Sequence, residues 1–219
     1  MQDPKLTLYF SNKSCAIASM AALEEAELHF EAVPVGMSPD GAGDEAFRRL
    51  NPRRQVPVLT VDVRIFRENG AIFRYLDGIR PEARLLPDDP DEQIRATEWV
   101  GYLGGTLHPA FRVVFRPQRW VGHLPEAQQA LRTETRSYVQ GLLDQLDGDL
   151  AGDWVLRQRS ALDFYLFAVT RWAALIKVPL PKQLAAHHAR VTELPAMARA
   201  LAREGSAYPG PAGGSTSSS

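Results

Sequence analysis

The residues from Leu6 to Val35 constrain this chain more than any others. Leu6-Thr7-Leu8-Tyr9 alternates apolar with polar as a half-buried strand does, and Ser11-Asn12-Lys13-Ser14 breaks the pattern with turn formers. Ala16 to Ala26 is built of strong helix formers, with Ile17, Met20 and Ala21 at helical spacing. Leu28, Phe30 and Ala32 alternate again. The spacing predicts a strand, a helix and a second strand parallel to the first, a βαβ unit. The only cysteine, Cys15, falls where the strand hands over to the helix. There the unshared backbone N–H groups and the helix dipole favour a thiolate over a thiol, with Lys13 close by. A cysteine elsewhere in a chain is more often a small buried hydrophobe.

The next residues extend one α/β layer. Gly36 to Gly43, with Pro39, reads as a loop; Asp44 is placed to cap a short helix that ends before Asn51-Pro52. Val56 to Val61 is the next strand. A proline inside a strand sits at an edge, at a bulge or in a cis turn at its start, and the last is taken for Pro57. Val63, Ile65 and Phe66 complete a hairpin, and Glu68-Asn69 open a helix with apolar residues at 72, 73, 75 and 76. The order βαβαββα fills residues 1–80. Pro81, Pro87, Asp88, Asp89 and Pro90 mark 81–90 as a linker.

Beyond it everything reads as helix, over 91–203. Asp89-Pro90-Asp91-Glu92 starts one helix that continues through Ile94, Trp99, Leu103 and Leu107 to about Phe115. Pro125 to Leu146 is another. Ser160-x-x-Asp163 has the spacing of a capping box and opens a segment, Phe164 to Ala173, that is apolar all round, as a central bundle helix is. Shorter helices are expected near 181–190 and 194–203, and the Gly, Pro, Ser and Thr tail over 204–219 is expected to be mobile.

A formal net charge of −1 points away from nucleic acid and anionic membranes as partners. No apolar run approaches the ~20 residues of a membrane span, and no secretion signal is evident, so a cytoplasmic location is expected.

Taken in order, Ser14-Cys15-Ala16-Ile17-Ala18-Ser19, Asn51-Pro52, Val56-Pro57-Val58-Leu59, Glu68-Asn69-Gly70-Ala71-Ile72, Leu107-His108 and Ser160-x-x-Asp163-x-Tyr165 resemble the glutathione transferases, most nearly the bacterial beta class. The resemblance runs from about residue 5 to 203. It implies a thioredoxin-like domain followed by an all-helical one, with glutathione as co-substrate, a small hydrophobic electrophile as second substrate, and a homodimer. It assigns Cys15 to face the glutathione sulfur and form mixed disulfides by exchange. Val56 and Pro57 would present main-chain groups to the cysteinyl part, while Glu68 and Asn69 would hold the γ-glutamyl end and cap their helix. His108 would reach the site from the helical domain. Ser14, Ser11 and Tyr9 are rival activators of the thiol, since related classes use a hydroxyl. The chain departs from the beta pattern with Gly101, Thr106 and Pro109, and no lysine stands in the loop after Val35. A glutathione-dependent thiol-disulfide reductase and a non-catalytic binding protein of the same fold are the alternatives.

Four further features are less specific. His187 and His188 are adjacent and cannot share a metal as i, i+4 pairs do, so no metal site is expected. His29 and His123 lack ligand-like spacing. Trp99, Tyr102, Phe111 and Phe115 suit either an apolar pocket or a core. Arg112, Arg116 and Arg119 form a basic strip that reads more readily as a solvated or dimer-facing surface than as an anion site.

Overall fold

The computed structural model describes residues 4–38, 41–150 and 152–207. A four-stranded sheet, in the order β2-β1-β5-β6, is built from β1 (Leu6–Phe10), β2 (Glu31–Pro34), β5 (Val58–Val61) and β6 (Arg64–Arg67). Strand β1 pairs parallel to β2 and antiparallel to β5, with Leu8 opposite both Ala32 and Leu59. Strands β5 and β6 form the expected hairpin around Asp62. After β2 the chain adds a small hairpin of two-residue strands, β3 (Met37–Ser38) and β4 (Gly41–Ala42), where the sequence reads as loop; Pro39 lies outside the described residues. Two-residue strands carry no periodicity to detect. This hairpin is fixed by Arg54, whose guanidinium donates to the carbonyls of Ala42 and Gly43.

Helix α1 (Ala16–Glu25) is buried on every side from Ala16 to Glu24, not along one stripe. Its alanines let helices approach closely: it lies against α3 (Asn69–Ile79) on its own layer and against α8 (Ala161–Leu175) and α10 (Pro195–Ala207) of the helical part. Glu24 receives the guanidinium Nε of Arg199 and of Arg203 at 2.8 and 2.7 Å, which ties α1 to α10. Gly70, in the first turn of α3, lets that helix approach the helical part closely, since a Cβ there would stand 2.6 Å from Cγ1 of Val100. Asp44 caps α2 (Glu45–Leu50) by accepting from the Phe47 N–H at 3.0 Å.

In the helical part, Asp89 caps α4 (Pro90–Tyr102) as its spacing predicts. The helix expected to run unbroken to Phe115 instead widens to an i→i+5 turn over Leu103–Leu107 before α5 (His108–Phe115). Gly104 and Gly105 sit in that turn, and such single wide turns often mark functional positions. Then follow α6 (Gln118–Val121), α7 (Pro125–Asp149), α8, α9 (Lys182–Thr192) and α10. Helix α8 is the buried centre, with Ala161 to Thr170, Trp172 and Ala173 all buried. Its capping box is complete, with Ser160 and Asp163 each accepting a main-chain N–H. The expected mobile tail is corrected over Glu204–Ala207, which belong to α10; the rest of that stretch lies outside the described residues. Glu204 is buried there against Arg171 and the Lys13 N–H, a tertiary pairing that composition alone does not reveal. Among the described residues no helix is long and apolar enough to cross a membrane.

Candidate active site

A cavity of about 790 Å³ opens where the sheet layer meets the helices. One wall is Ser11 to Cys15, Val56, Pro57, Glu68 and Asn69, and the other includes Gly104, His108, Arg112, Tyr165 and Trp172. All seven residues singled out for the site therefore share one cavity, although several have jobs the sequence does not disclose.

The loop before α1 is built by its own side chains. Ser14 Oγ donates to the Ser11 carbonyl at 2.7 Å and accepts from the Ala16 N–H at 3.3 Å. Ser11 Oγ donates to the Val35 carbonyl at 2.5 Å. Both hydroxyl protons are thus committed to main chain, and Tyr9 packs against Phe47 away from the cavity. Lys13 takes a left-handed conformation with φ +54°. Two contacts from the helical part hold it there: its N–H donates to Glu204 Oε1 at 2.9 Å and its carbonyl accepts from Trp172 Nε1 at 2.7 Å.

Cys15 lies at the start of α1, as expected, yet its side chain is 6% exposed and its Sγ donates to the Val56 carbonyl at 3.5 Å. The expectation of a thiolate is corrected. Burial pushes the thiol up to about 12, the Glu68 carboxylate adds to the rise, and Arg112, the main-chain N–H and Asn69 offset only part of it. The helix terminus is a partial charge worth at most about 2 kcal/mol, whereas burying a full charge costs more.

The peptide bond between Val56 and Pro57 is cis, as read from the strand. Glu68 and Asn69 behave differently from expectation. Glu68 makes no side-chain cap to α3; its exposed carboxylate instead pairs with Arg53 at 3.3 Å, with φ +71° at its backbone. Asn69 is buried and its amide is spent inside the protein, donating to the Cys15 carbonyl at 3.2 Å and accepting from Ser19 Oγ at 2.6 Å. It orients the cysteine. The carboxylate and the N-terminal end of α3 remain for a ligand.

His108 reaches the cavity directly after the wide turn, its ring 4.7 Å from that of Trp172. Burial, then the charge of Arg112, lowers it to about 4, so it is neutral at pH 7. His188 also falls to about 4, through burial and the nearby His187 and Arg171. A histidine whose folded pKa is depressed adds stability that is complete above its unfolded value of about 6.5 and is lost as pH falls toward about 4. Urea unfolding at pH 7 and pH 4.5 is expected to show His108→Gln losing about 2 kcal/mol less than the parent over that interval. Equal losses would contradict the assignment.

Other residues fall where sequence reasoning does not place them. Tyr165 and Trp172, on the buried face of α8, line the cavity. Burial and the neighbouring Cys15 and Glu68 push the Tyr165 hydroxyl up, so it is a donor. The capping-box spacing locates α8 but not which of its apolar-face residues meet open space. Of the four aromatics considered for a pocket, Phe115 lines the cavity and Phe111 backs it, while Trp99 and Tyr102 do not line it. Arg112, Arg116, Arg119 and His123 line it as well. His187 and His188 diverge, one onto Asp163 at 2.8 Å and the other onto Thr170 at 2.8 Å.

A glutathione S-transferase N-terminal domain family model matches residues 4–78. The glutathione S-transferase GstA of Escherichia coli O157:H7 is 30% identical over 207 residues, covering 91% of this chain and 99% of the relative. The chain belongs to the glutathione S-transferase family. Maleylacetoacetate isomerase of Rattus norvegicus is 38% identical over 135 residues, 60% of this chain and 62% of that protein. Among solved structures, the bacterial beta class glutathione S-transferase of Sphingomonas chungbukensis superposes with a TM-score of 0.78 at 31% identity, over 91% of this chain and 98% of its own. A sphingomonad glutathione S-transferase complexed with glutathione gives 0.78 at 29% identity over the same shares. The two-part transferase fold, a thioredoxin-like domain followed by helices, is thereby established for this chain.

Proposed function

We propose that this transferase binds glutathione along the first wall of the cavity and adds its sulfur to an electrophile held against the second. The observation that carries the reading is that the Val56 main chain, Glu68 and Cys15 line one cavity of tripeptide size. The cysteinyl unit would pair with the Val56 N–H and C=O as an added strand. Glu68 would take the γ-glutamyl ammonium, and the α3 terminus, Arg53 and Lys13 the carboxylates.

The protonated state of Cys15 supports conjugation over disulfide reduction. A thiol titrating near 12 is ionised to only about one part in 10⁵ at pH 7, so it is a poor nucleophile for exchange. It is a donor instead. Cys15 would offer its S–H to the glutathione thiolate, with Arg112 supplying positive charge nearby. The glutathione proton passes to solvent, the sulfur forms its bond to the electrophilic carbon, and the leaving group departs with the bonding pair. Neutral His108 would add a further hydrogen bond. A symmetric dimer in a reducing compartment, where glutathione and the free thiol both persist, fits this chemistry.

Retention on glutathione resin and turnover of 1-chloro-2,4-dinitrobenzene test the reading. Cys15→Ala is expected to lower kcat/KM about tenfold and to move the rising limb of its pH profile upward. Intact mass after exposure to oxidised glutathione at pH 7 is expected to show little adduct on the native protein. A rapid, complete adduct with weak conjugation would favour the reductase, and no retention at all would favour a non-catalytic role.

A further inference from the structure

Six cationic side chains line the cavity, namely Lys13, Arg53, Arg54, Arg112, Arg116 and Arg119. Among the described residues the one carboxylate lining it is Glu68. This imbalance is far from the chain's net charge of −1, so the cations are concentrated here. Three of the six already have work in the first layer. Arg54 fixes the β3-β4 hairpin, Arg53 pairs with Glu68, and Lys13 lies in the loop assigned to glutathione. The other three stand together on the helical side. Arg112 lies in α5, Arg116 follows it by one turn with its N–H on the Arg112 carbonyl at 3.0 Å, and Arg119 continues the ridge onto α6.

Among the described residues neither Arg112 nor Arg116 has an ion pair to a carboxylate. Burial, then the neighbouring charges of Arg119 and Arg112, lowers Arg116 below the ordinary guanidinium range. An anion would relieve the two like charges of Arg112 and Arg116, which stand a helical turn apart beside open space with no carboxylate partner among the described residues. Beside them is an apolar face, because Phe115 and Trp172 line the same cavity with rings 6.0 Å apart.

Resting on the glutathione reading above, we propose that the second substrate is an electrophilic organic acid: an unsaturated or aromatic body lies on Phe115 and Trp172, and its carboxylate is held by Arg112 and Arg116. This is narrower than the small hydrophobic electrophile that the family resemblance implies. Guanidinium groups meet a carboxylate through two parallel N–H donors, so they fix the orientation of the acid as well as attract it. The reacting carbon is then presented to the sulfur above Cys15, while the anionic end points to the α5–α6 ridge.

A matched pair of probes tests this. 4-Chloro-3-nitrobenzoate and its methyl ester share a leaving group and a nitro activator, and each enzymatic rate is divided by the uncatalysed rate with glutathione. The acid is expected to exceed the ester in normalised kcat/KM by about tenfold, chiefly through KM, with the preference shrinking as salt is raised. In Arg112→Gln/Arg116→Gln the acid-to-ester ratio is expected to fall to near one, and the charge reversal Arg116→Glu is expected to invert it. Equal handling of acid and ester by the parent, or an unchanged ratio in both variants, overturns the inference while resin retention and ester turnover keep the glutathione reading intact. Absence of retention and of any turnover removes both.

Discussion

Replacing Asp163 by alanine is expected to lower the unfolding free energy by about 4–6 kcal/mol, the largest loss from any single side chain in this protein. Asp163 is fully buried, and its two carboxylate oxygens accept from three donors at once: the Val155 N–H at 2.9 Å, the Ser160 N–H at 2.8 Å and His187 Nε2 at 2.8 Å. Truncation leaves all three without an acceptor in a region closed to water, and each orphan costs about 1–3 kcal/mol. With Nε2 spent as donor, His187 Nδ1 has no partner among the described residues, so its ring has no second bond there to fall back on. Asp163→Asn keeps one acceptor oxygen and fills the space, so about half the loss is expected. Ser160→Ala removes one 3.3 Å hydrogen bond and is expected to cost about 1 kcal/mol. Urea unfolding with unchanged m values checks the order of the three. If Asp163→Ala cost no more than Ser160→Ala, the box would be an ordinary helix cap and not the point where three segments are joined.

That junction shows what a sequence can and cannot disclose here. The Ser-x-x-Asp spacing is local, so the cap of α8 is legible, as are the Asp44 and Asp89 caps and the strand pattern of β1 and β5. The recruitment of His187 and the Val155 N–H is tertiary, and nothing in spacing signals it. The same division runs through the site. Cys15, Val56 and Glu68 are legible as candidates because each sits at an element boundary with a backbone signature, whereas His108 is reached only through the family resemblance, since the sequence reads one helix running through it. The protonation of Cys15 is not legible, since it depends on burial and on Glu68, Asn69 and Arg112 brought from the start of α3 and from α5 rather than on the helix dipole beneath it. The arginine ridge has ordinary solvated-helix spacing, and only the packing of α5 against the cavity turns it inward. The wide turn at Leu103–Leu107 likewise shifts the register of everything after it, so a continuous helical wheel drawn from α4 misplaces His108.

The second large effect lies in a residue that reads as the start of a tail. Glu204→Ala is expected to cost about 3–4 kcal/mol in stability and, in the folded fraction, to raise KM for glutathione about tenfold. Its carboxylate is buried, pairs with Arg171 at 2.8 Å, and accepts the Lys13 N–H at 2.9 Å. Removing it strands a guanidinium that is itself mostly buried, and a pair broken from one side costs more than a pair never formed. It also frees one end of the Lys13 peptide, leaving the Trp172 indole alone to hold a left-handed turn two residues from Cys15. Glu204→Gln separates the two consequences. The amide keeps an acceptor for Lys13 but gives up the charge, so stability is expected to fall while KM stays near that of the parent. Adding Arg171→Met to Glu204→Gln removes the stranded cation and is expected to recover part of the lost stability, a coupling that a double-mutant cycle measures directly. Glutathione saturation curves read alongside urea midpoints decide the matter: a stability loss in Glu204→Ala with unaltered KM would show that α10 braces the fold without shaping the loop beside Cys15.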